Sequence, residues 1–234
     1  MLSTVDGLSP TVDGIPWLVR LGFVGRFLYK ATAGVRLTIE MASDPSHRIA
    51  CFGSSSNLTP QKYLDASYEL GNLLAKGGHL CVNGGGKDGC MGALNRGALA
   101  GEGKIRGVIH EMWIGEEEQP GIEMVVARGD DLAERKKLLF DNADAIISLP
   151  GGLGTFDELY EAVAARQLGL NGRKPVCLVN TDGFFDATLA QLDRMFEDKL
   201  LRGPWQNVLG NAPTAAAAVE YIVTELAKTS TESE

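Results

Sequence analysis

The sequence predicts an α/β protein: one Rossmann-like domain built on a doubly wound parallel sheet. Three observations carry that reading. Short apolar runs of strand type alternate with stretches of helical periodicity over residues 48–228. The apolar runs end in Gly- or Ser-rich turns. Glycine is abundant, 29 of 234 residues, against a usual share of about 7%, and it clusters in those turns, which marks ligand loops rather than disorder.

The elements follow in order. Residues 48–56, Arg-Ile-Ala-Cys-Phe-Gly-Ser-Ser-Ser, read as the first core strand and its exit loop. Ser54 there offers a hydroxyl at a strand's C-terminal end, where open α/β sheets gather ligands. Thr59-Pro60 is expected to cap and start a helix. Tyr63, Ala66, Leu70, Leu73 and Leu74 form its apolar face, and Gly77-Gly78 ends it. A second strand covers 79–83. Gly84, Gly85 and Gly86 follow, a triple glycine that admits close backbone approach by a ligand, and then a helix to Ala100. Strands are expected at 104–110 and 123–127. The next helix, capped by Asp130 or Asp131, runs through Phe140, with Leu132, Leu138 and Leu139 as its core candidates. After a strand over 145–149 and a helix over 155–168 come a last strand at 175–180 and a helix at 186–200. That helix turns Leu189, Leu192, Met195 and Phe196 inward. Thr214 caps a final Ala-rich helix to about Lys228. Residues 229–234 read as a polar tail and residues 1–47 as an N-terminal extension.

The chemistry centres on Pro150-Gly151-Gly152-Leu153-Gly154-Thr155, between a buried strand and a helix. A glycine-rich turn that opens a helix makes an anion site. Amide groups point outward, the helix dipole favours negative charge, and Gly151, Gly152 and Gly154 keep side chains out of the way. Thr155 adds a hydroxyl. Glu158 falls in the first turn, beside that mouth. A carboxylate there repels phosphate, so it serves either as the far end of a Thr155–Glu158 capping box or in chemistry on the sugar of a bound nucleotide. Gly84-Gly85-Gly86 does not spell the G-x-G-x-x-G dinucleotide fingerprint, and no G-x-x-x-x-G-K-[ST] loop occurs.

Pro150 to Glu158 spells P-G-G-x-G-T-x-x-E, and Arg135 lies 23 positions before the glutamate, in Glu134-Arg135-Lys136. This pair resembles the Lonely Guy family of cytokinin riboside 5′-monophosphate phosphoribohydrolases, many of which carry the label lysine decarboxylase. The likeness runs from about Arg48 to Leu226. It implies that Arg135 and Glu158 are catalytic. Glu158 would stabilise an oxocarbenium-like transition state and direct water, and Arg135 would hold the ribose or the departing base. It implies that Lys136 and Glu117 contact substrate alongside Ser54, the triple glycine, Gly151, Gly152, Gly154 and Thr155. It also implies a homodimer and no metal or redox cofactor. The expected reaction is hydrolysis of a purine riboside 5′-monophosphate to free base and ribose 5-phosphate. A non-catalytic purine-nucleotide carrier or regulatory module is the alternative. The chain departs from the family pattern at Asp88 and Cys90 in the triple-glycine loop, at Leu132-Ala133 where the family has Met-His, and at Ala164-Ala165-Arg166.

Composition narrows the partners. With 22 Lys+Arg against 30 Asp+Glu, the net charge of −8 lacks the basic footprint of a nucleic-acid binder. No apolar run reaches the roughly 18 residues of a membrane span. Cys51, Cys81, Cys90 and Cys177 show no C-x-x-C spacing and read as free buried thiols of a reducing compartment, so a cytoplasmic location is expected. The scattered His47, His79 and His110 show no metal-ligand spacing. Residues 14–38 lack acids and carry Arg20, Arg26, Lys30 and Arg36. The extension is therefore expected to be either a packed arm or an organelle-targeting segment.

Overall fold

The structure is a computed structural model. It describes residues 44–114 and 119–231 and, before them, four strand segments. The chain divides into two compact units, residues 1–44 and 45–234. In the first, β1 (Thr11–Val12) pairs antiparallel with β2 (Ile15–Pro16), and β3 (Phe27–Thr32) pairs with β4 (Arg36–Met41). These strands were not anticipated. Their signal was nevertheless present in the β-branched and aromatic residues of Phe-Leu-Tyr-Lys-Ala-Thr and Arg-Leu-Thr-Ile-Glu-Met.

The second unit is a seven-stranded, fully parallel sheet in the order β11-β10-β9-β5-β6-β7-β8. Its strands are β5 (Arg48–Phe52), β6 (Leu80–Asn83), β7 (Lys104–His110), β8 (Glu123–Ala127), β9 (Ala145–Ser148), β10 (Val176–Val179) and β11 (Gly210–Ala212). From β5 the chain winds outward through β6 and β7 to β8, then returns to pair β9 against the other side of β5. That reversal is the topological switch point, and the crevice beyond the strand ends there is where such sheets bind ligands. The fold is the Rossmann-like α/β architecture expected.

Helices cover both faces: α1 (Gln61–Lys76), α2 (Gly89–Ala100) and α6 (Ala215–Thr231) on one, α3 (Ala133–Asp141), α4 (Leu153–Leu168) and α5 (Asp186–Glu197) on the other. Central strands are therefore buried on both sides, with Ile49, Cys51 and Ile147 in one core and Ala50, Phe52 and Ile146 in the other. All four cysteines are buried and free. No helix among the described residues is long and apolar enough to cross a membrane.

Several local expectations shift. Thr214 does cap α6, its hydroxyl accepting from the Ala217 amide at 3.2 Å. Thr59 does not cap α1. Its hydroxyl donates to the Ser56 carbonyl at 2.7 Å, and the helix starts after Pro60. Asp131 accepts from the Ala133 amide at the start of α3, while Leu132, just outside that helix, is exposed rather than core. Phe196 is exposed as well, because it falls in the last turn of α5. Strand β11, Gly-Asn-Ala, has no strand signature in sequence and owes its existence to pairing with β10.

Candidate active site at the switch point

The loop after β9 is tied to the exit of β5. The Leu149 amide donates to the Phe52 carbonyl at 2.8 Å, and the Ser54 amide to the Pro150 carbonyl at 3.0 Å. Gly151 is where these two loops and the first turn of α4 meet. A Cβ there would overlap the Thr155 hydroxyl and stand 2.8 Å from the Ser54 nitrogen. At Gly152 and Gly154 a Cβ would meet nothing within 4 Å, and Gly152 has an ordinary φ of −92°. These two glycines therefore leave open space over the helix start without relieving backbone strain, contrary to the usual reason for glycine in a tight turn.

Helix α4 begins at Leu153, two residues before the expected start, with Gly152 in the capping position and no side chain capping it. Its first amide donors are unsatisfied within the helix, as an anion site requires. Thr155 is thus inside the first turn and buried, and the Thr155–Glu158 capping box is absent. Glu158 has a different partner. Its Oε1 stands 3.6 Å from Nη1 of Arg135, with the two side chains only 13% and 16% exposed.

Arg135 reaches this position from α3 by spanning two strand ends. Its Nε donates to the Val108 carbonyl at 3.0 Å and its Nη2 to the Gly84 carbonyl at 3.5 Å. A Cβ on Gly84 would overlap that Nη2, so glycine is what admits the guanidinium. Burial lowers the Arg135 pKa, opposed by the Glu158 charge. Burial dominates at Glu158 too. It pushes the carboxyl up to about 7 from an ordinary 4.5, although Arg135 pulls the other way. The pair is therefore dehydrated faster than it is neutralised, and Glu158 exchanges its proton near neutral pH.

The triple-glycine loop is braced by residues that the sequence reading missed. Asn83 donates to Asn95 Oδ1 at 2.7 Å and accepts from the Gly85 amide at 2.8 Å; Asn95 donates to the Gly86 carbonyl at 3.2 Å. Gln119 donates to the Gly85 carbonyl at 2.8 Å. Gly85 takes a left-handed φ of +75°, a conformation that favours glycine. The only signal available in sequence was an asparagine at the end of an apolar strand. Trp113 was missed as well; its ring centre lies 5.8 Å from the Arg135 guanidinium carbon.

The remaining expected residues scatter. The Ser54 hydroxyl lies 2.8 Å from that of Thr59 and accepts from the Ser56 amide at 3.1 Å. It borders a groove of about 220 Å³ lined by Ser56, Thr59, Tyr63, Pro150, Gly151 and Phe184 among others. That groove touches the glycine loop but not Arg135 or Glu158. The Lys136 ammonium is held by Asp157 at 3.0 Å and Glu161 at 2.9 Å. Glu117 lies outside the described residues.

A parallel sheet with an uncapped, glycine-lined helix start and a buried Arg–Glu pair at its switch point defines a Rossmann-like protein with a candidate anion site. Comparison with known proteins makes this specific. A family model described as "Possible lysine decarboxylase" matches residues 91–222. Two proteins of Arabidopsis thaliana named cytokinin riboside 5′-monophosphate phosphoribohydrolase are similar. LOG3 is 33% identical over 185 residues, spanning 78% of this chain and 84% of that one. LOG4 is 35% identical over 178 residues, spanning 75% and 81%. The chain belongs to the Lonely Guy family. Among solved structures, the molybdenum cofactor binding protein from the phototrophic bacterium Rippkaea orientalis shares the fold. Its TM-score is 0.61 at 24% identity, over 79% of this chain and 99% of that one.

Proposed function

We propose that this chain hydrolyses the N-glycosidic bond of a purine riboside 5′-monophosphate, of the N6-modified adenosine (cytokinin) type. Free base and ribose 5-phosphate are the products. The observation that carries the reading is the buried Arg135–Glu158 pair beside the open start of α4. The phosphate sits on the α4 amides near Gly152 and Gly154 and fixes the sugar. Water adds to C1′ as the C1′–N9 bond breaks; the bond's electron pair leaves with the purine, which takes a proton from solvent to become the free base. The Glu158 carboxylate stabilises the cationic sugar and takes the water's proton, a task suited to a carboxyl titrating near 7. Arg135 holds the ribose or the negative charge on the departing base. The relatives' names support the same chemistry.

The test is product analysis over a panel of purine 5′-monophosphates, with and without an N6 substituent. Base release fastest from N6-modified adenosine 5′-monophosphate is the expected result. Nucleotide that binds and stays intact over hours overturns it in favour of a binding module.

The active form in this reading is a homodimer. Leu153, Tyr160 and Leu168 are exposed along α4 at spacings of seven and eight, on one side of the helix. Light scattering should give about twice the 25.0 kDa chain mass; a single monomeric species at micromolar concentration rules the dimer out.

A further inference from the structure

From Trp113 we infer the wall that receives the purine base. The inference rests on the proposed nucleotide hydrolysis and adds a base-recognition residue to it. Trp113 closes the short 3₁₀ turn after β7 (Glu111–Trp113). His110 anchors that turn. Its Nδ1 accepts from the Met112 amide at 3.3 Å, so its Nε2 carries the proton and donates to the Gly129 carbonyl at 3.0 Å. The Trp113 ring meets the His110 ring edge-on, with centroids 6.1 Å apart. It also stands 5.8 Å from the guanidinium carbon of Arg135.

Arg135 joins Trp113 to the reacting centre. The same guanidinium is 3.6 Å from the Glu158 carboxylate and reaches the Gly84 carbonyl. With Glu158 at the sugar, the base attached to C1′ projects to one side of this pair. The triple-glycine loop presents backbone there, and Met124 packs beneath Gly85 and Gly107. Trp113 is the aromatic ring found beside Arg135, and it is only half-buried. The Arg135 guanidinium lies over one face of this half-exposed indole, and a flat, polarisable ring of this kind is a surface on which nucleobases stack. Such stacking tolerates any purine and any N6 substituent, so Trp113 sets affinity for a base as such.

The experiment follows tryptophan emission during titration with adenosine 5′-monophosphate and, separately, with ribose 5-phosphate. The base-containing ligand should quench emission and the sugar phosphate should not. Trp113→Phe should abolish that purine-specific quench while keeping KM for base release within a few-fold, because a flat ring remains. Trp113→Ala should raise KM about tenfold or more with kcat little changed, since stacking lost equally from ground and transition states appears in KM. A structural role would instead lower the melting temperature and kcat, without rescue by phenylalanine. A quench of unchanged size in Trp113→Phe, or a wild-type KM in a folded Trp113→Ala, overturns the inference. Purine-specific quenching without base release would sink the hydrolase reading and leave the base wall standing. Base release indifferent to Trp113 would do the reverse.

Discussion

Helices α3 and α4 are bridged twice by neighbouring residues, and the two bridges obey different physics. Arg135 pairs with Glu158 while 16% and 13% exposed. Lys136, one residue on, pairs with Asp157 and Glu161, whose side chains are 60% and 45% exposed. In the outer bridge, pairing outweighs burial, and hydrogen bonds to Glu161 and Asp157 raise the lysine pKa. In the inner bridge, burial outweighs pairing, and Glu158 rises to about 7. The two cations are covered alike, Arg135 at 16% and Lys136 at 23% exposed, so it is the acids of α4 that separate a clasp open to solvent from a dehydrated site. Attraction in water is worth little. A charge that has lost its water, and is incompletely compensated, becomes a group that can exchange protons near neutral pH.

The largest expected effect tests that inner bridge. Glu158→Gln keeps the shape and removes the charge, so base release should fall about 10²-fold or more while the protein stays folded. The pH profile sharpens the point. If the carboxylate is the active form, kcat/KM rises with pH, about tenfold per unit below a pKa near 7, and levels above it. Glu158→Gln should lose that limb. A folded mutant with near wild-type turnover would reduce the inner bridge to structure.

Gly84 tests the geometry rather than the charge. The Cβ of Gly84→Ala would take the space now held by Nη2 of Arg135. The guanidinium tip can swing aside, so the fold should persist, but it would leave the Gly84 carbonyl and its alignment with Glu158. Turnover should drop on the order of tenfold, with the melting temperature nearly unchanged. Unaltered kinetics would show that the position of Arg135 does not matter to the reaction.

Linkage gives a third test, on stability. Between pH 4.5 and 7 the folded protein holds a proton on Glu158 that the unfolded chain has released. Stability contributed by this group is therefore fully present below 4.5 and is lost as pH rises through 7, by up to ~3 kcal/mol. Glu158→Gln has no such titration. The two proteins should melt together near pH 4.5, and the mutant should melt several degrees higher at pH 8. A mutant less stable at pH 8 would mean that Arg135 needs the carboxylate more than the site's burial resists it.

The contrast between the bridges also shows what a sequence can reveal. The glycine loop is local, so Pro150-Gly151-Gly152 and the helix behind it were legible. The alternation of strands and helices likewise gave the parallel sheet. The placement of Arg135 beside Glu158 came from resemblance, since residues 23 apart meet only through the packing of α3 against α4. The capping box, one of the two readings open for Glu158, falls away because α4 starts at Leu153 rather than Thr155: glycine is tolerated at an open first turn, so Gly154 did not mark the helix start. The Asn83–Asn95 bond and the Trp113–Arg135 contact join residues 12 and 22 positions apart, and short-range patterns carry no trace of such pairings. Leu132 and Phe196 had helical spacing for the core but lie at helix ends, where the surface begins.

The smallest expected effect belongs to the outer bridge, and it decides the role of Lys136. The family pattern makes Lys136 a substrate contact, whereas its ammonium here is engaged by two carboxylates of α4. Lys136→Met keeps most of the apolar stem and removes the charge. If the lysine is only a clasp, the loss should be ~0–1 kcal/mol of stability, shrinking further in high salt as exposed pairs are screened. KM and kcat should then stay within about twofold. If instead the lysine swings from Asp157 and Glu161 to a bound phosphate, KM should rise about tenfold while the melting curve of the free protein barely moves. Asp157→Asn separates the cases further. Freeing the lysine from one acid should leave a clasp weaker and catalysis unchanged, but should lower KM if the acids compete with phosphate for the ammonium. A raised KM in Lys136→Met together with a lowered KM in Asp157→Asn would move Lys136 from the outer bridge into the site.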